Sequence, residues 1–164
     1  MSKRTSSIWA SRAGIVALLI AASGAAYAGA QQWNEIPLDP GLYKASAAEH
    51  RSDTVDIPLR ANGGEIEYML NMKKGDSIVY SWRAVDIADP TKLTSEFHGH
   101  TEPPPNMPGT LIFYRKGTGG TESGTMTAAF DGIHGWYLKN DTNRPVVVRL
   151  TVAGFYQVIP NQIR

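Results

Sequence analysis

Three side chains spaced two residues apart, Glu96, His98 and His100, offer the clearest metal-binding chemistry in this sequence. Alternate residues of an extended strand project from the same face, so all three would lie together if the strand continues through this segment. Two imidazoles at that spacing can converge on zinc or copper. We expect His134 to be the third ligand, with Glu96 or Glu102 completing the shell.

A second interpretation of the same segment needs no metal. Gly99 and the run Pro103–Pro105 favour an early end of the strand, which would leave the histidines as a solvated polar edge beside carboxylates. Met107 and Met126 add soft sulfur that copper accepts, although an isolated methionine more often fills a gap in a core. Both interpretations stay open, because ligand types alone do not establish a site.

Seven residues from Phe130 to Trp136 combine two glycines, an acid, a histidine and aromatic rings. As a binding corner they would direct Asp131, His134 and Trp136 at a ligand or partner, and Phe97 beside the histidine pair would join them. As a tight connection, the glycines would supply unusual backbone angles, Asp131 would bond turn amides and Trp136 would fill the core. The second interpretation is favoured because each residue type then has a sufficient local reason.

No catalytic signature accompanies these residues. The sequence has no cysteine and no Gly-x-Ser-x-Gly elbow, and Ser123 stands in a glycine-rich segment without a companion motif. The run Gly117–Gly120 lacks the Lys-Ser/Thr of a phosphate loop. Sugar binding needs exposed stacking rings, whereas most aromatic residues here alternate as core residues do. We therefore expect a protein that is not an enzyme and needs no cofactor, zinc or copper at the histidines being the exception.

The first 30 of the 164 residues have the layout of a secretory signal peptide. Positive charges at Lys3, Arg4 and Arg12 precede an apolar run over Ala13–Ala22, and a small-x-small cleavage pattern lies within residues 26–30. An uncleaved membrane anchor is the alternative, because the whole uncharged stretch is nearly long enough to span a bilayer. In both cases the positive-inside rule sends the rest of the chain to the periplasm or to the periplasmic face of the inner membrane.

Strand signals recur about every ten residues from Asp53 onward, which is the spacing of all-β sandwiches. We expect residues 31–52 to form a linker or N-terminal arm, and residues 53–164 to form a single antiparallel β-sandwich of about eight strands. Asn62-Gly63 predicts a tight hairpin between the first two strands. The predicted strands are Thr54–Arg60, Glu65–Met72, Ser77–Ala84, Leu93–Gly99, Thr110–Tyr114, Gly124–Phe130, Ile133–Lys139 and Val146–Ile159.

Three stretches carry a resemblance to a known family: MKKGDSIVYSW at Met72–Trp82, EFHGH at Glu96–His100, and Gly124–Val158, which contains FDGIHGWYLKN. They resemble a bacterial family described only as transmembrane anchor proteins, and the closing pattern is more distantly similar to the GOLD domain of Golgi cargo receptors. The resemblance implies a GOLD/jelly-roll-like sandwich in the cell envelope and supplies no catalytic residue. Family members usually have a longer spacer after a more hydrophobic anchor, whereas AYAGA at residues 26–30 precedes a short arm here.

These features predict an exported, membrane-associated β-sandwich that serves as a non-catalytic binding or accessory module of the bacterial cell envelope. It would contact a partner protein through a sheet edge or a loop rim, with the N-terminal segment tethering or delivering it. Residues 31–164 carry 13 positive against 15 negative charges, so we expect no nucleic-acid partner. The alternative function is a periplasmic zinc- or copper-binding protein that uses His98 and His100, and a carbohydrate-binding module ranks third.

Overall fold

A computed structural model describes residues 34–103, 105–160 and 162 of the chain. The described strands are β1 (His50–Leu59), β2 (Gly64–Met72), β3 (Ser77–Val85), β4 (Leu93–His100), β5 (Leu111–Thr118), β6 (Thr121–Thr127), β7 (Gly132–Asn140), β8 (Val146–Phe155) and β9 (Gln157–Val158). The predicted signal or anchor helix at residues 1–30 lies outside the described residues. Within the described ranges, no helix is both long enough and apolar enough to cross a membrane.

The strands form two antiparallel sheets, which confirms the prediction of an all-β sandwich. One sheet has the order β1-β8-β3-β6 and the other the order β5-β4-β7-β2-β9. Successive described strands change sheet at every connection except the one between β4 and β5. The predicted hairpin at Asn62-Gly63 is therefore wrong: these residues do form a turn, with φ of 56° and 90°, but it joins strands of different sheets.

The core lies between the two sheets and is built from alternate residues of the strands. Tyr80 of β3 joins the layers, since its ring centroid lies 5.0 Å from that of Phe97 and 5.1 Å from that of Trp136 in the other sheet. Trp82 is 3% exposed, as expected for a residue that fills the space between two sheets. Alternate residues of three strands are buried in the core: Tyr68, Leu70 and Met72 on β2, with Ile66 partly buried beside them, Ile78, Tyr80 and Trp82 on β3, and Val146, Val148, Leu150 and Val152 on β8.

Several strand boundaries differ from the prediction. β1 begins at His50, four residues before the predicted start. β6 begins at Thr121, before Gly124, so that only Gly119 and Gly120 separate β5 from β6. Gly119 has a φ of +152°, which lets the chain pass between the sheets in two residues.

The last predicted strand is divided in two. β8 ends at Phe155, and β9 pairs with β2 in the other sheet. Gly154 has a φ of +144°, and a Cβ at this position would stand 2.2 Å from the carbonyl oxygen of Ser77. The chain can therefore approach β3 closely there because residue 154 has no side chain. Tyr156 is then buried at 3% exposure, with its hydroxyl donating to the Val152 carbonyl at 3.0 Å.

One buried side chain joins the two turns at an end of the sandwich. Asn140 is fully buried, and its Nδ2 donates to the carbonyl oxygens of Arg60 at 3.0 Å and Arg144 at 2.8 Å. Its Oδ1 accepts from the Thr142 amide at 3.0 Å and the Thr142 hydroxyl at 2.7 Å. All the hydrogen-bonding capacity of the amide is thus used, and the turn after β1 is tied to the turn after β7.

The Asn140→Ala substitution should lower the free energy of unfolding by about 3 kcal/mol, because each buried partner left without a hydrogen bond costs about 1–3 kcal/mol. Urea denaturation followed by tryptophan fluorescence measures this change. Asn143 is exposed in the same turn, so Asn143→Ala is the matched control and should change stability by less than about 0.5 kcal/mol. Equal effects of the two substitutions would contradict the role given to Asn140.

Candidate functional site

The histidine pair lies on a strand that continues through both residues. β4 extends to His100, with the regular register Phe97↔Trp136 and Gly99↔His134 against β7. Phe97 belongs to the core, so the alternation of the strand turns His98 and His100 to the outer face of the five-stranded sheet. The strand therefore continues through Gly99, as the prediction of one shared face for Glu96, His98 and His100 required. The register against β5 shifts between Phe97 and His98, where the pairing is irregular.

The two rings are nearly parallel, with centroids 5.9 Å apart and an interplanar angle of 17°. His98 is only 6% exposed although it lies on an outer face. Its Nδ1 lies 3.3 Å from the carbonyl oxygen of Glu96, and Nδ1 of His100 lies 3.4 Å from that of Thr101. A carbonyl oxygen only accepts, so these contacts assign the proton to Nδ1 and leave the Nε2 lone pair of each neutral ring available.

Two carboxylates lie near the pair, and they face different groups. Oε1 of Glu67 on β2 lies 3.8 Å from Nε2 of His98. Glu96, one of the two carboxylates predicted to complete the shell, instead has Oε1 3.4 Å from Nζ of Lys116 on β5. His98 and His100 thus share a face as predicted, while the carboxylate beside His98 is that of Glu67, which sequence spacing did not single out.

His134 lies on the opposite face of the same sheet. It is fully buried, with Nε2 3.1 Å from the carbonyl oxygen of Phe130 and Nδ1 3.0 Å from the hydroxyl of Tyr114. The carbonyl requires a proton on Nε2, so Tyr114 donates to Nδ1 and both ring nitrogens are used. A Cβ at position 99 would stand 2.1 Å from Nδ1 of His134, so Gly99 leaves the space that the ring occupies.

This placement corrects the predicted ligand set. The sheet backbone separates His134 from His98 and His100, so the three imidazoles cannot converge on one ion. In the part of the chain that the structure describes, no group of three or more His, Asp or Glu side chains is arranged to hold a metal. Met126 is a core residue, whereas Met107 is exposed and lies before β5.

Burial lowers the pKa of His134, and the nearby imidazoles of His100 and His98 act in the same direction, while the bond to Phe130 opposes them. The unfolded chain therefore binds a proton at this residue more readily than the folded chain does. Stability should be greatest above the ordinary histidine pKa of 6.5 and should fall as the pH drops below it, with a slope approaching about 1.4 kcal/mol per pH unit.

Denaturation of the wild-type chain between pH 7.5 and pH 5.0 tests this expectation. His134→Gln should lose most of the slope, because glutamine does not titrate, even though the variant is less stable overall. His50 is exposed on β1, so His50→Ala serves as the control and should keep the slope. An unchanged slope in His134→Gln would show that another group is responsible.

Most of the segment from Phe130 to Trp136 is strand, because β7 begins at Gly132. The predicted tight connection is therefore wrong, and neither Gly132 nor Gly135 has a positive φ. Oδ1 of Asp131 accepts from the Lys74 amide at 2.7 Å, and its Oδ2 lies 3.1 Å from the Lys73 ammonium. Asp131 is therefore exposed but engaged in holding a turn. Trp136 is 1% exposed, and it stacks on Phe97 with centroids 4.6 Å apart. The expectation that Phe97 and Trp136 face a partner is corrected, because both rings lie inside the sandwich.

An apolar surface that sequence analysis missed lies along β5. Among the described residues this strand pairs with β4 only, so its other side is an open edge of the five-stranded sheet. Leu111 and Phe113 are 57% and 41% exposed, and Met107 just before the strand is 64% exposed. We call Met107, Leu111 and Phe113 the β5 patch. The run LIFY resembles a fully buried strand, so the sequence gives no signal that alternate residues of it face solvent.

A cleft of about 580 Å³ opens where β5 and β6, the edge strands of opposite sheets, approach each other. Glu122 of β6 lines it with a carboxylate that is 10% exposed. This carboxylate accepts from the Tyr80 hydroxyl at 2.5 Å and lies 3.1 Å from Nε of Arg115. Burial and the bond to Glu122 raise the pKa of Tyr80, so its hydroxyl remains a donor at any physiological pH. The contacts of Glu122 with Tyr80 and Arg115 thus link the two sheets at the base of the cleft.

Comparison with known proteins assigns neither a family nor a function to this chain. No protein-family model matches the sequence, and no curated protein matches it significantly. The function must therefore be argued from the surfaces themselves: the histidine face, the β5 patch and the cleft beside it.

Proposed function

We propose that this protein is an exported, non-catalytic binding module of the bacterial cell envelope that holds an extended segment of a partner protein along β5. The observation that carries the proposal is the combination of an open strand edge with the exposed side chains of the β5 patch. An open edge offers unpaired backbone N–H and C=O groups to another chain. Pockets for alternate side chains then give such pairing its specificity.

The other long edge strands are built differently. β1 carries charged residues and Pro58, which cannot donate to an added strand, and β6 consists mainly of threonine, serine and glycine. Among the described residues, neither β1 nor β6 contains an exposed large hydrophobic side chain. The apolar character of β5 is thus specific to one edge, which favours a binding role over general tolerance of surface hydrophobics.

The cations of β5 leave the edge accessible to an apolar segment. Nζ of Lys116 lies 3.4 Å from the centroid of Phe113 and 3.4 Å from a carboxylate oxygen of Glu96. Arg115 is turned to Glu122 at the cleft. Both charges are locally balanced, so they neither repel a neutral strand nor select strongly for an acidic one. The cleft lies next to the edge and offers room for a side chain of the added segment.

The fold is compatible with a binding role, and the family resemblance favours a place in the cell envelope. The order β1-β8-β3-β6 over β2-β7-β4-β5 is typical of an eight-stranded jelly roll, an architecture used for recognition as well as for catalysis. The resemblance to transmembrane anchor proteins and the layout of residues 1–30 favour export, with the first segment delivering or tethering the domain.

Site-specific photo-crosslinking tests the proposal. A benzophenone side chain at position 113, in the full chain expressed in its native cells, should yield a defined crosslinked partner that mass spectrometry identifies. Phe113→Asp should reduce co-purification of that partner more than about tenfold, equivalent to about 1.4 kcal/mol of binding free energy.

Val79 provides the matched control, since it is a 54% exposed hydrophobic side chain on β3 of the other sheet. A benzophenone at position 79 should give no defined product, and Val79→Asp should leave co-purification unchanged. Equal crosslinking from positions 79 and 113, or recovery of the chain alone, would overturn the proposal.

A further inference from the structure

A methionine sulfur lies beside the histidine pair on the outer face of the five-stranded sheet. Met69 of β2 is 5% exposed, yet it does not belong to the core cluster, because Tyr68 and Leu70 on either side of it are the core-facing residues. Gly135 of β7 pairs with Met69 on one side and with His98 on the other. The sulfur of Met69 lies 2.9 Å from where a Cβ of residue 135 would stand. The Met69 side chain therefore lies against Gly135, the residue that separates Met69 from His98 in the sheet.

Nε2 of His98 is available to bind a cation. Nδ1 of His98 is directed at a backbone carbonyl, which leaves the Nε2 lone pair on the side of Glu67. That nitrogen has no hydrogen bond among the described residues, and the Glu67 carboxylate oxygen is 3.8 Å away. The His98 side chain is 8% exposed, whereas that of Glu67 is 55% exposed. A positive charge bound at Nε2 of His98 would therefore be stabilised by a carboxylate that solvent also reaches.

We propose that this face binds one monovalent copper ion through Nε2 of His98 and the sulfur of Met69. His100 completes a three-coordinate site by a turn of its ring, which now stacks on His98 and contacts the Thr101 carbonyl at 3.4 Å. A backbone carbonyl that accepts from the far nitrogen is the usual outer partner of a metal-bound imidazole. Glu67 balances the single positive charge.

The donor set favours copper(I) over the other common ions. Thioether sulfur is a soft ligand that selects monovalent copper, and imidazole suits the same ion. Zinc in proteins is held by cysteine, histidine and carboxylate ligands, so a zinc site here would depend on Glu67 and not on Met69. The proposal does not rest on partner binding at β5, since its ligand atoms belong to other side chains and the experiment that tests it needs no partner.

Anaerobic titration of the purified full chain with copper(I), in competition with a chromophoric copper(I) chelator, measures the stoichiometry and the affinity. We expect one equivalent to bind. Met69→Leu preserves the volume of the side chain and should weaken binding more than about 100-fold, since even outer partners of a metal ligand are worth about 10–100-fold. His98→Gln should have a similar effect, and X-ray absorption should show a sulfur ligand that is absent in Met69→Leu.

Matched controls exist for both ligand types. His50→Ala and Met107→Leu alter an exposed histidine and an exposed methionine elsewhere and should leave the affinity unchanged. Thermal unfolding of each variant without copper separates loss of a ligand from loss of the fold. Binding that survives Met69→Leu but is lost in Glu67→Gln would replace the proposal with a nitrogen and oxygen site. Absence of binding in competition, or equal losses in the controls, would overturn it.

Discussion

The stacking of Trp136 on Phe97, with Tyr80 across the interface, fixes most of what this domain presents to solvent. The two stacked rings lie on adjacent strands of one sheet, and the Tyr80 ring from the other sheet contacts both. Side chains alternate along a strand, so burial of Phe97 obliges its neighbour His98 to face outward. A slip of one residue in the register of β4 would exchange the two faces and bury the histidine pair in the core. The surface chemistry of the sheet is thus a consequence of aromatic packing inside it.

Two residues without side chains shape the opposite faces of the same sheet. Gly99 leaves the space in which the His134 ring lies on the inner face, where both nitrogens of that ring are bonded. Gly135 lies under the Met69 sulfur, and a Cβ there would also stand 2.1 Å from the carbonyl oxygen of Tyr68. His134 and His98 therefore have opposite characters. One is a neutral core residue with no free nitrogen, and the other retains an available lone pair.

Alternation in the sequence was sufficient to predict most of the strands and the buried faces of β2, β3 and β8, because burial of every second residue is a local property of a half-buried strand. It was not sufficient to predict which strands pair. Asn62-Gly63 specifies the backbone angles of a turn, but those angles are compatible both with a hairpin and with a step between sheets. The same limit explains the error at His134. His134 was expected to be the distant third ligand that a His-x-His pair needs, whereas the face on which it lies depends on the pairing of β4 with β7. Leu111 and Phe113 were missed because edge position is likewise a property of topology.

The β5 patch and the histidine face are physically continuous. The ring centroid of Phe113 lies 5.7 Å from that of His98, so an added strand that covers Phe113 also removes water from the imidazole. Lower water access strengthens the interaction of a bound cation with Glu67, since the effective dielectric constant falls. An ion at His98 would in turn fix the ring against which Phe113 packs. Coupling of this kind is reciprocal, so whichever ligand binds first changes the affinity for the other by the same factor. If β5 binds a partner and His98 binds copper(I), the outer face of β4 and β5 is a single surface. Binding of the partner then changes the affinity for the metal, and binding of the metal changes the affinity for the partner.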